Sequence, residues 1–88
     1  MMEEKKRRAL QDIRGFAAAG RIHITKHGRK RMNMRGVTYA DLRHALTNVT
    51  ACKAGEDEKW IAESTDLSGD PMSVVIAFWD GLLVVTVF

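Results

Sequence analysis

The stretch RIHITKHGRKRMNMRGVTYADLRHAL, residues 21–46, decides how this chain is organised. Polar and apolar residues alternate over its first five positions, which predicts a short strand with the two isoleucines facing the core. Thr25 can N-cap a basic helix over residues 26–34, and Gly36 ends that helix. The stretch therefore predicts a strand and a basic helix, followed by a glycine turn.

A second helix begins directly after this turn. Thr38 is a natural N-cap, and Asp41 stands at the third helical position in an acidic variant of the capping box. Val37 can pack onto Leu42 as a hydrophobic staple. The expected buried stripe of this helix consists of Tyr39, Leu42, Ala45 and Leu46.

The flanking segments complete the fold. Apolar residues recur at helical spacing over residues 3–19, and Gly20 supplies a C-terminal stop. Strand-like apolar runs follow the second helix at residues 50–53, 59–65, 72–79 and 82–88. The pair Asp80-Gly81 between the last two runs predicts a two-residue hairpin loop. The sequence thus predicts one α+β domain over residues 1–88, in the order α-β-α-α-β-β-β-β, with the helices packed on one face of a twisted antiparallel sheet.

Length and composition exclude several classes of protein. A chain of 88 residues can bury one modest core. Its single cysteine, Cys52, excludes an internal disulfide and suits a reducing compartment. No apolar run approaches the roughly 20 residues of a membrane span, and the charged N-terminus lacks the apolar region of a secretory signal. A cytoplasmic location without membrane contact is therefore expected.

The charge is divided unequally along the chain. Residues 1–35 carry eleven Lys and Arg against three acidic residues, whereas residues 36–88 carry three against eight. Such a split predicts a basic surface for a polyanion such as RNA. A solvated basic helix beside an acidic sheet edge is the alternative, and composition alone leaves it open.

Two segments resemble a known family of toxins. LQDIRGFAAAGRIHITKHGRKRMNMRGVTYADLRHAL, residues 10–46, is similar to the N-terminal half of the MqsR toxins. KWIAESTDLSGDPMSVVIAFWDGLLVVTVF, residues 59–88, resembles their closing strands. The motif HGxxRMxxRGV over residues 27–37 is also similar to the signature of a large uncharacterised family of small bacterial proteins, often encoded beside zinc-finger antitoxins related to MqsA.

The resemblance implies a RelE-like fold and the toxin component of a bacterial type II toxin–antitoxin system. Such toxins are metal-independent mRNA endoribonucleases without a cofactor, and a cognate antitoxin, here of the zinc-finger MqsA-like kind, neutralises them. The MqsR toxins use lysine, glutamine and tyrosine on the sheet. This chain has Ile61 and Ser73 near the glutamine and tyrosine positions, and only Lys53 lies near a catalytic lysine. Most of the catalytic set of that family is therefore missing.

The basic helix carries a different candidate catalytic set. His27, Arg31 and Arg35 stand at i, i+4 and i+8, which places them along one helix face about one turn apart. Like charges at this spacing repel each other unless an anion lies against them. RNA cleavage by its own 2′-hydroxyl needs a base, an acid and cations for the extra charge. We therefore hypothesise that His27 is the acid or base and that the two arginines bind the scissile phosphate. Alternatively, His27 caps or packs at the helix start and the arginines pair with acids of the sheet.

Other basic residues are candidates for RNA binding. Lys26, Arg29 and Lys30 lie elsewhere on the same helix and would attract backbone phosphate, or only solvate the surface. His23 faces away from the isoleucines of its strand and could join His27. Lys53 completes the expected RNA-binding set.

The remaining chemically notable residues have structural interpretations. A zinc site from His23, His27 and Cys52 lacks any standard ligand spacing, so no metal is expected. Cys52 has no paired His and Asp in sequence, which favours a buried or inert thiol. Trp60 and Trp79 are expected in the core or at a partner interface.

Three functions compete at this point. The first is a toxin-type endoribonuclease, and the second is a non-catalytic domain of the same fold that binds nucleic acid or an antitoxin. The third is a helix-turn-helix DNA binder formed by helices 26–34 and 38–46, which the short glycine turn fits. The small charge of its second helix argues against the third, because a recognition helix needs polar reading groups.

Overall fold

The computed structural model describes residues 2–88. Its helices and strands are α1 (Met2–Ala18), β1 (Ile22–Ile24), α2 (Lys26–Arg35), α3 (Tyr39–Thr47), β2 (Ala51–Ala54), β3 (Trp60–Thr65), β4 (Pro71–Phe78) and β5 (Leu82–Val87). The predicted α+β class and the predicted order of elements are confirmed.

The five strands form one mixed sheet in the order β1-β5-β4-β3-β2. Strands β2 to β5 pair antiparallel with their sequence neighbours, but β1 runs parallel to β5, with Ile22 opposite Leu82 and Ile24 opposite Val84. The prediction of a wholly antiparallel sheet was therefore wrong. Hairpin signals report only local pairs, whereas β1 reaches β5 after the chain has passed through two helices and three strands.

Helices α1 and α3 cover one face of the sheet and enclose the core. α1 contributes Ile13 and Ala17, and α3 contributes Leu42 and Leu46, all completely buried. The sheet side of the core includes Ala62, Met72, Val74, Ile76, Leu82, Val84 and Val87. The predicted stripe of α3 is confirmed except at Tyr39, which is 45% exposed. Tyr39 is the first residue of α3, so its side chain extends beyond the packed turns of the helix.

Helix α2 lies against the edge of β5 rather than on the helical face. A Cβ atom at Gly28 would come within 2.8 Å of the Val84 carbonyl oxygen, and Arg31 Nε donates to the Val87 carbonyl at 3.4 Å. The Val84 carbonyl accepts from the Thr25 N–H at 3.0 Å where β1 ends, and the Val87 carbonyl lies on the edge of β5 beyond the residues that β1 pairs. The prediction that every helix packs on one face was thus wrong for α2, because the short β1 leaves an edge to cover.

The β4–β5 hairpin has three loop residues rather than the predicted two. Phe78 pairs with Leu82, and the Trp79 N–H donates to the Gly81 carbonyl at 3.1 Å. Gly81 adopts a φ of 105°, and a Cβ atom there would lie 2.6 Å from the Arg21 carbonyl oxygen, so only glycine fits. This loop carries Trp79 at its tip, where the side chain is 64% exposed. Of the two places expected for Trp79, the exposure excludes the core and leaves the partner interface as a prediction, whereas Trp60 packs against the core as expected.

Candidate nucleic-acid interface

Both ends of α2 are fixed by local hydrogen bonds. The Thr25 hydroxyl accepts from the Gly28 N–H at 2.9 Å and donates to the Val85 carbonyl at 3.0 Å, so one side chain caps the helix and ties it to β5. At the other end Gly36 adopts a left-handed φ of 68°. The helix therefore presents its side chains from a rigid base.

Helix α2 carries a set of cations that have no acidic partner. Its ten residues include no Asp or Glu, and its cations are Lys26, Arg29, Lys30, Arg31 and Arg35. Across residues 2–88, no carboxylate lies within ion-pair distance of any of them. We call this set the α2 cations. Because like charges repel at i, i+4 spacing, this concentration of positive charge favours the binding of an anion.

Three arginines outside α2 are engaged with distant parts of the protein itself, whereas Arg8 on α1 is exposed and makes no such contact across residues 2–88. Arg14 donates to the Val49 carbonyl at 2.7 Å, and Arg21 donates to the Asp80 carboxylate at 2.6 Å. Arg43 donates to the last carbonyls of α1, to Ala17 at 3.1 Å and Ala18 at 2.7 Å. These side chains hold helices and loops together, which separates them from the α2 cations.

The predicted catalytic residues share one flank of α2. His27 is exposed and makes no hydrogen bond within the described part of the chain. Arg31 is half-buried and uses only Nε, toward Val87, so its terminal nitrogens stay available. Arg35 is exposed at the end of the helix. The alternative in which His27 packs and the arginines pair with acids of the sheet is not the arrangement observed across residues 2–88.

His23 lies apart from His27. Its Nε2 is 3.1 Å from the Asp80 carbonyl, which can only accept, so this nitrogen carries the hydrogen. The imidazole also meets the edge of the Trp79 ring at a centroid distance of 6.0 Å. His23 lines a cleft together with Arg29, on the flank of α2 opposite His27. The two histidines are therefore not brought together as the sequence suggested.

The other expected RNA-binding residues are divided between α2 and the far edge of the sheet. Lys26 and Lys30 are exposed on the outer face of α2. Lys53 is exposed on β2, four inter-strand spacings from β1, or roughly 19 Å. The structure thus places Lys53 at the opposite edge of the sheet, outside the α2 surface.

A cleft of about 630 Å³ opens between β1, the end of α2 and the start of α3. Its lining residues are Ile22, His23, Ile24, Arg29, Met32, Asn33, Gly36, Val37, Thr38 and Tyr39. Sequence reasoning missed this site: it expected Arg29 to attract backbone phosphate or only solvate the surface, placed Tyr39 in the core and passed over Asn33. The i, i+4 spacing of Arg29 and Asn33, followed by an aromatic after the turn, was the available signal.

Two titratable groups have shifted pKa values. Hydrogen bonds from the backbone N–H groups of Thr38 and Leu67 hold the pKa of the Asp41 carboxyl below its ordinary value. This carboxylate closes the capping box of α3 and ties the β3–β4 loop to one wall of the cleft. Burial raises the pKa of the Cys52 thiol, and this cysteine is buried, as one of the two sequence predictions had it.

Helix α3 lacks the features of a recognition helix. Its buried residues Leu42, Ala45 and Leu46 pack inward, and Arg43 is held by α1. The remaining exposed surface of α3 therefore offers no available arginine or lysine. This observation disfavours the helix-turn-helix hypothesis, which needs cations and polar groups on the second helix.

Comparisons with known proteins add no assignment. No protein-family model matches the chain, and neither a curated protein nor a solved structure matches it. Within residues 2–88, no group of three His, Cys, Asp or Glu side chains could hold a metal ion. Over the same residues, every helix is too short or too polar to cross a membrane.

Proposed function

We propose that this chain binds RNA along α2 and cuts it without a metal ion, as a RelE/MqsR-like toxin of a bacterial toxin–antitoxin system. One observation carries this proposal: the α2 cations have no carboxylate partner across residues 2–88, although eleven acidic residues are present in the chain. A phosphodiester backbone would supply the missing negative charge. The sequence resemblance to the MqsR toxins supplies the toxin and antitoxin part of the proposal.

The chemistry follows from the residues on the outer flank of α2. His27, in its neutral form, takes the proton of the RNA 2′-hydroxyl, and that oxygen attacks the adjacent phosphorus. The bond to the 5′-oxygen breaks, this oxygen takes a proton from solvent, and a 2′,3′-cyclic phosphate remains. Arg31 and Arg35 bind the phosphate and stabilise its additional charge.

A cleavage assay with matched histidine variants tests the proposal. In EDTA, the purified protein is expected to cut single-stranded RNA, and His27→Gln is expected to slow cutting by roughly 100-fold, the lower end for a lost general base. His44→Gln, on α3, serves as the control and should change the rate less than about twofold. Equal rates for the wild type and the His27 variant would remove this flank as the reaction site.

Inducible expression tests the toxin assignment. Growth arrest is expected when the chain is expressed alone, and co-expression of the adjacent gene should relieve it. Mapping of RNA ends before and after induction should show new ends in mRNA. Growth that continues without arrest, in cells that hold the folded protein, would contradict the toxin assignment.

A non-catalytic RNA- or antitoxin-binding domain is the second candidate. It is favoured by the exposure of His27, whose ring no hydrogen bond orients within residues 2–88. Catalytic histidines are usually positioned by a second group. RNA binding with no cutting by the wild type would select this candidate.

A further inference from the structure

The cleft opposite the His27 flank has the properties of a site for one small, partly apolar ligand. Its volume of about 630 Å³ falls within the range of small-molecule sites, about 300–1,000 Å³, and is far too small for a duplex. The cleft opens beside the α2 cations, and Arg29 belongs to both. A polyanion bound along α2 would therefore lie next to the cleft opening.

The lining of the cleft separates into an apolar floor and a polar rim. Side chains of Ile22, Ile24 and Met32 form the apolar part and pack into the core. The rim holds Arg29 and Asn33, which stand one helical turn apart on α2 and are both exposed. Their side chains make no hydrogen bond or ion pair within the described chain, so both can contact a ligand.

Tyr39 adds an exposed aromatic surface at the edge of this cleft. Its side chain is 45% exposed although it begins a well-packed helix. Exposed aromatic rings beside a basic surface are the usual platforms on which unpaired bases stack. The Asn33 amide offers both a donor and an acceptor, which is the pattern that reads the edge of a base.

We infer that this cleft holds one unpaired base of the bound RNA, stacked on Tyr39 and read by Asn33, with Arg29 on the adjoining phosphate. The inference rests on the proposed RNA binding along α2, but it does not need the chain to cut RNA. It implies that the protein selects single-stranded RNA, because a paired base cannot leave the duplex without an energetic cost. It also makes Asn33 a specificity-determining residue.

Single-base oligonucleotides test this inference separately from cleavage. The probes are hexanucleotides with 2′-O-methyl groups, which cannot be cut, and they carry one A, C, G or U among five abasic positions. A fully abasic hexamer supplies the phosphates alone. We expect at least one base to tighten binding by about fivefold or more over the abasic probe, as measured by fluorescence anisotropy.

The variants locate the base within the cleft. Tyr39→Ala should remove most of the advantage of the base over the abasic probe, and Asn33→Ala should reduce the difference among the four bases to about twofold or less. Gln11→Ala also removes an amide from an exposed helix position and serves as the control. It should change neither the advantage of the base over the abasic probe nor the difference among the four bases. Circular dichroism of each variant verifies the fold.

A charge-matched pair tests the role of Arg29. Arg29→Gln should weaken every probe, including the abasic one, by about fivefold, whereas Arg8→Gln on α1 should do so by less than about twofold. Equal effects of these two variants would contradict a phosphate contact at the cleft.

The remaining outcomes separate this inference from the proposed function. Hexamers that bind without any base preference, or with a preference that both cleft variants retain, would overturn the cleft as a base site and leave RNA binding intact. Hexamers that fail to bind would overturn both.

Discussion

Helices α2 and α3 meet at the same short turn, yet they use their basic residues in opposite ways. Arg43 of α3 donates to two carbonyls at the end of α1, at 3.1 and 2.7 Å. The α2 cations have no carboxylate within reach across residues 2–88, and only Arg31 contacts the sheet, through one long hydrogen bond. The arginine of α3 therefore serves the fold, whereas the side chains of four of the five α2 cations make no hydrogen bond or ion pair across residues 2–88.

This difference shows why net charge is a poor guide to a binding surface. Arg14, Arg21 and Arg43 count equally with the α2 cations in the composition, but their guanidinium groups are already occupied. An occupied arginine stabilises the fold when it is present and costs stability when it is lost. Loss of an unoccupied arginine leaves the hydrogen bonds of the fold intact. The comparison predicts that loss of the α3 arginine lowers the stability of the fold, whereas loss of an α2 cation lowers the affinity for RNA.

The largest loss of stability is expected from Gly28→Ala, which tests the close packing of α2 against β5. A Cβ atom there would lie 2.8 Å from the backbone oxygen of Val84, so helix and strand must move apart. We expect the free energy of unfolding to fall by about 2–3 kcal/mol, the usual cost of overpacking, as measured in urea.

Gly15→Ala is the matched control for this substitution. Gly15 lies within α1, and apart from its chain neighbours and the adjacent helix backbone nothing lies within 4 Å of an added Cβ. Alanine should therefore raise stability by about 0.5–1 kcal/mol through its better helix propensity. A stabilising Gly28→Ala would contradict the close contact of α2 with β5.

A loss of about 1–2 kcal/mol is expected from Arg43→Ala, because two hydrogen bonds to α1 disappear from a partly exposed site. RNA affinity should stay within about twofold of the wild type. Arg35→Ala should give the reverse result, with stability unchanged within about 0.5 kcal/mol and RNA affinity clearly lower. Comparable effects of the two variants on RNA affinity would contradict the prediction that RNA affinity depends on α2 and not on Arg43 of α3.

The smallest effect on stability is expected from the Asp41 carboxylate, which caps the start of α3 and contributes in a pH-dependent way. The pKa of Asp41 is held below its ordinary value of 3.8, mainly by the Thr38 N–H and then by Leu67. The group therefore stabilises the fold above pH 3.8, and this contribution is lost as the pH falls through the lower pKa of the folded state.

Asp41→Ala gives the measurement for this effect. The variant should be less stable than the wild type near neutral pH, and the difference should shrink on acidification from about pH 6 to about pH 2.5. The free energy of unfolding in urea across this range would show it. A difference that grows in acid would mean that the carboxylate does not cap α3.

Much of the fold could be predicted because its signals are local. Alternation marked the strands, and the Thr38–Asp41 capping box marked the start of α3. The parallel pairing of β1 with β5 joins Ile22 to Leu82, and no local pattern encodes a contact over that separation. Trp79 is exposed because a three-residue loop carries it away from the core, and Asp80-Gly81 alone does not fix the loop length.

The candidate site was predictable only in part. Helical spacing placed His27, Arg31 and Arg35 on one flank, and the structure has them there. Whether a cation is engaged depends on groups far away in sequence, as Arg43 and Ala17 illustrate. The cleft was missed for the same reason, since it forms only where β1, α2 and the first residue of α3 meet.

The most direct test of the central claim measures how salt changes RNA binding by two matched double variants. Lys26→Gln with Lys30→Gln removes two α2 cations, and Lys5→Gln with Arg8→Gln removes the same charge from α1. Affinity for a single-stranded 2′-O-methyl RNA would be measured between about 0.05 and 0.5 M salt, where each phosphate contact contributes about 0.7 to the slope of log affinity against log salt.

The α2 double variant should lower the magnitude of this slope by about 1.4 and bind more weakly, while the α1 double variant keeps the slope of the wild type. Equal slopes for the two double variants would contradict the assignment of RNA binding to α2.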